Sequence, residues 1–112
     1  LAWLGLEWDE VPAQSTRLAS YAAAAETLKA RGLLYACTCT RSEIEAAGAR
    51  PGLEGLIYPG TCKHTPPDPA RPAAWRLDAD KALAETGVLR WDDDIAGPQA
   101  VDLSGLGDVV LV

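Results

Sequence analysis

Leu33-Leu34-Tyr35-Ala36-Cys37-Thr38-Cys39-Thr40-Arg41-Ser42-Glu43 carries three structural signals in one short stretch. The first five residues form an apolar run with an aromatic at its centre, which predicts a short buried strand. Thr40 and Glu43 stand in capping-box spacing, so a helix is expected over 41–47, stopping at Gly48. Between strand and helix sits Cys37-Thr38-Cys39. Two thiols one residue apart at a strand end can meet one ion if the chain turns between them.

Outward toward the N-terminus, Leu18, Tyr21, Ala22, Ala25 and Leu28 recur at i, i+3, i+4, i+7 and i+10. That period predicts a helix over 16–31, with Ser15 as its N-cap and Gly32 in the C′ position. Residues 1–14 read as a helix end and a turn. Leu1, Leu4 and Trp8 share a face there, and Gly5 and Pro12 break the pattern. Outward toward the C-terminus, residues 49–72 hold prolines and glycines at a density that no helix or central strand sustains, so a long loop is expected. A compact domain needs a reason to keep such a loop, and a bound metal would be one. Strands are expected over 73–78, with Trp75 and Leu77 on one side, over 88–91, and over 108–112. Residues 79–87 read as one helical turn or a loop, and Gly97-Pro98 as a turn.

The chain has 112 residues, ten basic and sixteen acidic, for a formal net charge of −6. That is one domain or a piece of a larger one. An autonomous nucleic-acid binder usually carries a basic excess, because phosphate neutralisation supplies most of its affinity. This chain has none, so nucleic-acid contact would need a field supplied by a larger protein. No apolar run approaches the roughly 20 residues that span a bilayer, and no membrane association is expected. The N-terminal residues lack the pattern of a signal peptide. The chain contains no Met, and Asp108-Val109-Val110-Leu111-Val112 stops within a strand pattern. The expectation is a fragment of a longer protein.

Three cysteines, Cys37, Cys39 and Cys62, make a poor disulfide framework, so a reducing, cytoplasmic setting is expected. Thiolates are preferred ligands of zinc, which takes four donors in a tetrahedron. Cys62 follows the turn residues Pro59-Gly60, which can aim its side chain back toward the C-x-C pair. Three sulfurs leave one ligand to find, and Tyr58 and His64 are the near candidates. The alternative is three small buried hydrophobes. His64, the only histidine, lies in Lys63-His64-Thr65-Pro66 and reads as a solvated loop residue. Asp92-Asp93-Asp94 lacks EF-hand spacing and reads as a solvated strand end. Trp3, Trp8, Trp75 and Trp91 supply the bulk that Phe and Met would otherwise give. Phosphate-binding glycine loops, the H-E-x-x-H motif and the G-x-S-x-G elbow are all missing from the sequence.

Several stretches together resemble one family. They are Leu4-Gly5-Leu6-Glu7-Trp8-Asp9-Glu10, then Gln14-Ser15-x-Arg17-x3-Tyr21, then Gly32-Leu33-x-Tyr35-x-Cys37-x-Cys39-Thr40. Tyr58-Pro59-Gly60-Thr61-Cys62 and Asp102-Leu103-Ser104-Gly105-x-Gly107-Asp108-Val109-Val110-Leu111 complete the set. They resemble the class I glutamyl-tRNA synthetases, and most of all their short paralogues, the glutamyl-Q tRNA(Asp) synthetases. The resemblance implies one structural zinc on Cys37, Cys39, Tyr58 and Cys62. The gap between Cys39 and Tyr58, with Pro51 and Gly52 in it, is longer than the family's and reads as a loop insertion.

The family activates glutamate with ATP, and its glutamyl-Q branch passes the glutamyl group to queuosine in the anticodon of tRNA(Asp). Its HIGH-like and KMSKS-like signatures are missing from this sequence. No catalytic and no cofactor-binding residue is therefore carried over, and the isolated stretch is expected to be inactive. The implied fold class is α/β: the helical end of a Rossmann-type half with a lead-in helix over 1–32, then an inserted zinc-bearing α+β subdomain over 33–112, with its proline-rich loop at 49–72. Glutamate, ATP and tRNA(Asp) are the implied partners of the full-length, cytoplasmic, monomeric enzyme. Two alternatives stay open at this point: the same region of a glutamyl-tRNA synthetase, and a stand-alone zinc-binding interaction module.

Overall fold

The computed structural model describes residues 2–7, 9–52, 55–103 and 105–112, with the side chain of Ala2 excepted. Leu1 and Trp8 of the expected N-terminal apolar face, and Ser104, lie outside the described residues. Around them, Ala2–Leu4 form a single 3-10 turn.

The first long element is helix α1, Leu18–Ala30. Ser15 is not its N-cap: it sits inside a 3-10 turn, Gln14–Arg17, that leads into the helix. The hydroxyl of Thr16 donates to the Ala13 carbonyl at 2.7 Å instead. The C-terminus follows the sequence reading. Gly32, at φ +67°, takes the left-handed conformation. Its N–H donates to the Lys29 carbonyl, and the Leu33 N–H to the Leu28 carbonyl, which is a complete Schellman closure.

The chain then enters strand β1, Leu34–Cys37, and after Cys39 helix α2, Arg41–Ala46. The capping box is formed in full. Thr40 Oγ1 accepts from the Glu43 N–H at 3.3 Å, and the Glu43 carboxylate accepts from the Thr40 N–H at 2.6 Å. The next stretch departs from the expected loop. β2, Arg50–Gly52, and β3, Gly55–Ile57, form an antiparallel hairpin. Pro51 is tolerated because this is a two-stranded ribbon and its missing N–H leaves no central ladder broken. From Tyr58 to Ala73 the chain is loop and turns, as the prolines require.

β4, Ala74–Leu77, pairs antiparallel with β1, Leu34 opposite Leu77 and Cys37 opposite Ala74. Directly opposed residues share a face. Leu34, Ala36, Trp75 and Leu77 therefore lie on one side, and Tyr35, Cys37, Ala74 and Arg76 on the other. The first side meets α1, where Lys29 Nζ stands 4.0 Å from the centre of the Trp75 ring. The second side faces the cysteine cluster. On its other edge β4 is joined by the last residues, expected as a strand. Val110 bridges Arg76, and the N–H groups of Trp75 and Leu77 donate to Val112 and Val109.

Residues 79–86 settle as a full helix, α3 (Ala79–Thr86), because the Asp78 carboxylate accepts from the Lys81 N–H at its start. The last hairpin pairs β5, Arg90–Asp93, with β6, Gly97–Ala100. The acidic run thus enters a strand rather than merely ending one, and Gly97-Pro98 opens a strand rather than forming the turn. Asp93 shapes that turn by accepting from the N–H groups of Ile95 and Ala96.

Every strand pairing among the described residues is antiparallel. The architecture is therefore α+β. The α+β part of the expectation is met, and a parallel βαβ unit is not present among the described residues. The buried apolar set is small: Ala25, Leu33, Leu34, Cys37, Tyr58 and Ala79. The radius of gyration is 17.7 Å, against about 13 Å expected for a compact chain of this length. With so little apolar burial, polar ties matter. Asp108, itself buried, accepts from the Tyr35 hydroxyl at 2.7 Å and from the Ala79 N–H at 2.9 Å. Its carboxylate also lies 3.4 Å from Lys63 Nζ, which holds Asp78 at 2.8 Å and Asp80 at 2.9 Å. This network ties the loop after Cys62 to the start of α3 and to the C-terminal segment. Among the described residues no helix is long and apolar enough to cross a membrane.

Candidate metal centre

Four positions along the chain bring three sulfur atoms and one phenolic oxygen together. Cys37 closes β1, and Cys39 follows two residues later, just before the capped start of α2. Tyr58 comes directly off the end of β3. Cys62 lies in a turn reached through Gly60 at φ +81°, a backbone state that glycine adopts without penalty.

The three sulfurs lie within 4.8 Å of one another and form a set that could hold a metal ion. Cys39 Sγ is 3.3 Å from Cys62 Sγ. The phenolic oxygen of Tyr58 is 3.4 Å from Cys37 Sγ and 3.5 Å from Cys39 Sγ. It also accepts from the backbone N–H of Cys62 at 2.8 Å. A tetrahedral zinc, with bonds of about 2.3 Å to sulfur and about 2.0 Å to oxygen, sets S···O edges of about 3.5 Å and S···S edges of about 3.75 Å. The two S···O separations match. The Cys39–Cys62 pair is slightly closer than a shared ion would hold it. The donor set therefore fits zinc in its chemistry and in its two S···O separations. Cys37 and Tyr58 are buried, Cys39 and Cys62 partly so.

Electrostatics within the cluster are uneven. Burial pushes the Cys37 thiol up. Hydrogen bonding to Tyr58 and Arg76 and to the Cys39 backbone outweighs it, and the thiol settles at about 7. Burial and the neighbouring sulfurs push Cys39 up to about 11. Burial also drives the Tyr58 phenol upward, as do its thiol neighbours. A divalent cation at the centre would favour the anionic form of every ligand and so pull all of them downward.

His64, the competing candidate for a fourth ligand, is exposed and outside the sulfur group. Asp92, on β5, and Asp94, in the turn after it, are exposed and do not belong to the sulfur group. Three residues at the site were not singled out from the sequence. Arg76 lies with its guanidinium carbon 3.9 Å from the centre of the Tyr58 ring, and Lys63 and Asp108 brace the Cys62 loop. Alternation along β4 could have placed Arg76 on the Cys37 face, but only with the strand register already known.

No protein-family model matches the chain. Curated relatives do. A glutamyl-Q tRNA(Asp) synthetase of Chromobacterium violaceum is 47% identical over 96% of this chain and 35% of its own length. One from Rhodobacter capsulatus is 45% identical over 99% of this chain and 45% of its own length. A glutamate–tRNA ligase of Anaeromyxobacter sp. (strain K) is 37% identical over 100% of this chain and 25% of its own length. These relatives set the chain in the class of aminoacyl-tRNA synthetase-like proteins. Within that class it is homologous to the glutamyl-Q tRNA(Asp) synthetases, which match it at 36–47% identity over nearly its whole length. It spans less than half the length of the relatives it matches.

Proposed function

We propose that Cys37, Cys39, Cys62 and Tyr58 hold one structural Zn²⁺, and that the chain is the zinc-bearing portion of a glutamyl-Q tRNA(Asp) synthetase. The convergence of the Tyr58 phenolic oxygen on the sulfur cluster carries this reading, because its two S···O separations are those of a tetrahedral zinc. Four protein ligands leave no open coordination position, so the ion fixes structure and does not bind substrate. When bound it adds folding free energy, in a chain whose apolar core is small. The thiols would bind as thiolates, and the Cys62 N–H would hold the phenolic oxygen in place from outside the ion.

In this reading the full-length protein activates glutamate with ATP and transfers it to queuosine in tRNA(Asp). It is a cytoplasmic monomer. Residues 1–32 form the end of a Rossmann-type half and 33–112 an inserted subdomain. Catalytic residues belong to other parts of the protein. The second reading, the same region of a glutamate–tRNA ligase, draws on the 37% match across the entire chain.

The test is glutamylation by the full-length protein with ATP and labelled glutamate. Label on queuosine-containing tRNA(Asp), and none on tRNA(Asp) lacking queuosine, is expected. Label on tRNA(Glu) instead would favour the second reading. No label on either would sink both and leave a stand-alone zinc module.

A further inference from the structure

Arg76 occupies the middle of β4 on the face that carries Cys37. Its guanidinium carbon lies 3.9 Å from the centre of the Tyr58 ring. Its Nη1 donates to the Asp108 carbonyl at 2.9 Å. Its Nε is buried and has no hydrogen-bond partner among the described residues. A guanidinium is always charged, and leaving one of its buried N–H groups unpaired is costly. A charge kept at that cost needs a counterpart. The cysteine cluster is one: three thiolates around a divalent cation leave one negative charge in surplus, and a phenolate would leave two. A cation against the ring face favours the phenolate over the phenol.

We propose that Arg76 is a positioning residue for the metal centre, holding the Tyr58 ring by stacking and offsetting the surplus negative charge of its ligands. This rests on the zinc reading above. The hydrogen bond to the Asp108 carbonyl fixes the guanidinium from one end, with its carbon over the Tyr58 ring. Lysine could supply the charge without the flat stack, so the two contributions are separable. Metal sites commonly depend on such outer partners, whose loss costs about 10–100-fold in affinity.

The experiment measures zinc affinity of the full chain by competition with a chromophoric chelator, for wild type, Arg76→Met and Arg76→Lys. The ultraviolet tyrosinate difference signal is recorded at metal saturation, with Tyr58→Phe as the zero. Arg76→Met should weaken zinc by about 10–100-fold and reduce the tyrosinate signal. Arg76→Lys should recover most of the affinity. Affinities within twofold of wild type in both variants, with an unchanged signal, would overturn the role of Arg76 and leave the zinc reading intact. Equal losses in both variants, with the signal intact at saturation, would reduce Arg76 to packing and also overturn it. A wild-type chain that binds no zinc would instead remove the reading on which the proposal stands. If Arg76→Met does not fold, Arg76→Gln, which also removes the charge, takes its place with the same expected and overturning outcomes.

Discussion

The backbone N–H of Cys62 donates to the phenolic oxygen of Tyr58 at 2.8 Å, four residues back along the chain. The same oxygen stands 3.4 Å from Cys37 Sγ. Tyr58 thus links the loop of Cys62 to the end of β1 before any ion is considered. Tyr58→Phe keeps the ring and removes that link, leaving a partly buried N–H without an acceptor. A loss of about 1–3 kcal/mol in metal-free stability is expected from urea unfolding. A variant as stable as wild type would show that the phenolic oxygen holds nothing in place.

Asp108 is buried and accepts from Tyr35 and Ala79, with Lys63 Nζ 3.4 Å away. Asp108→Ala leaves the Tyr35 hydroxyl and the Ala79 N–H without their acceptor, while Lys63 keeps Asp78 and Asp80. A buried donor left unpaired typically costs about 1–3 kcal/mol, and a loss of at least that size is expected in denaturant unfolding. Asp108→Asn keeps an acceptor and should cost less. A change of under about 1 kcal/mol for the alanine variant would mean that water already serves these donors.

Glu43 accepts from both terminal nitrogens of Arg71, at 3.1 and 2.9 Å, and from the Thr40 N–H. Arg71 foremost, then Thr40, holds its carboxyl at about 2, down from 4.5. A depressed carboxylate contributes stability that is present above the unfolded value and is lost as pH falls through the folded one. The tie between α2 and the proline-rich loop should therefore weaken from about pH 4.5 down to about 2. The pair is exposed, so salt will weaken it as well. Carboxyl titration by NMR should place Glu43 near 2, and Arg71→Ala should move it back toward 4.5. The same ordinary midpoint in both proteins would refute the pairing.

Gly52 closes β2 against the backbone of Gly105, and a Cβ there would run into the Gly105 carbonyl and Ile57 Cγ1. Gly52→Ala should destabilise by about 1–3 kcal/mol through overpacking, seen as a lower urea midpoint at an unchanged slope. An unchanged midpoint would mean that the hairpin can shift away at no cost.

Much of this was legible in the sequence where the signal is local. The Thr40–Glu43 capping box, the glycine closure of α1 at Gly32, and the strands of Leu34 and Trp75 all depend on neighbours within a few residues. Ser15 misled because a 3-10 turn beginning at Gln14 precedes α1, and Thr16 bonds backward to Ala13. The β2–β3 hairpin was hidden by Pro51, which bars a central strand but not a two-stranded ribbon. The three cysteines pointed to a metal by composition. Their meeting with Tyr58 depends on how the hairpin and loop return to β1, and spacing does not encode that path. Arg76 became visible only once β1 and β4 had a register, and Lys63 and Asp108 only once the loop after Cys62 and the C-terminal segment had been placed beside α3.

The most direct test is metal content by mass spectrometry on the purified chain, wild type beside Tyr58→Phe and His64→Ala. About one zinc per chain is expected, weakened in Tyr58→Phe and unchanged in His64→Ala, since His64 is exposed and outside the cluster. Zinc lost with His64→Ala and kept with Tyr58→Phe, or no zinc in any sample, would contradict the assignment of Cys37, Cys39, Tyr58 and Cys62 as its ligands.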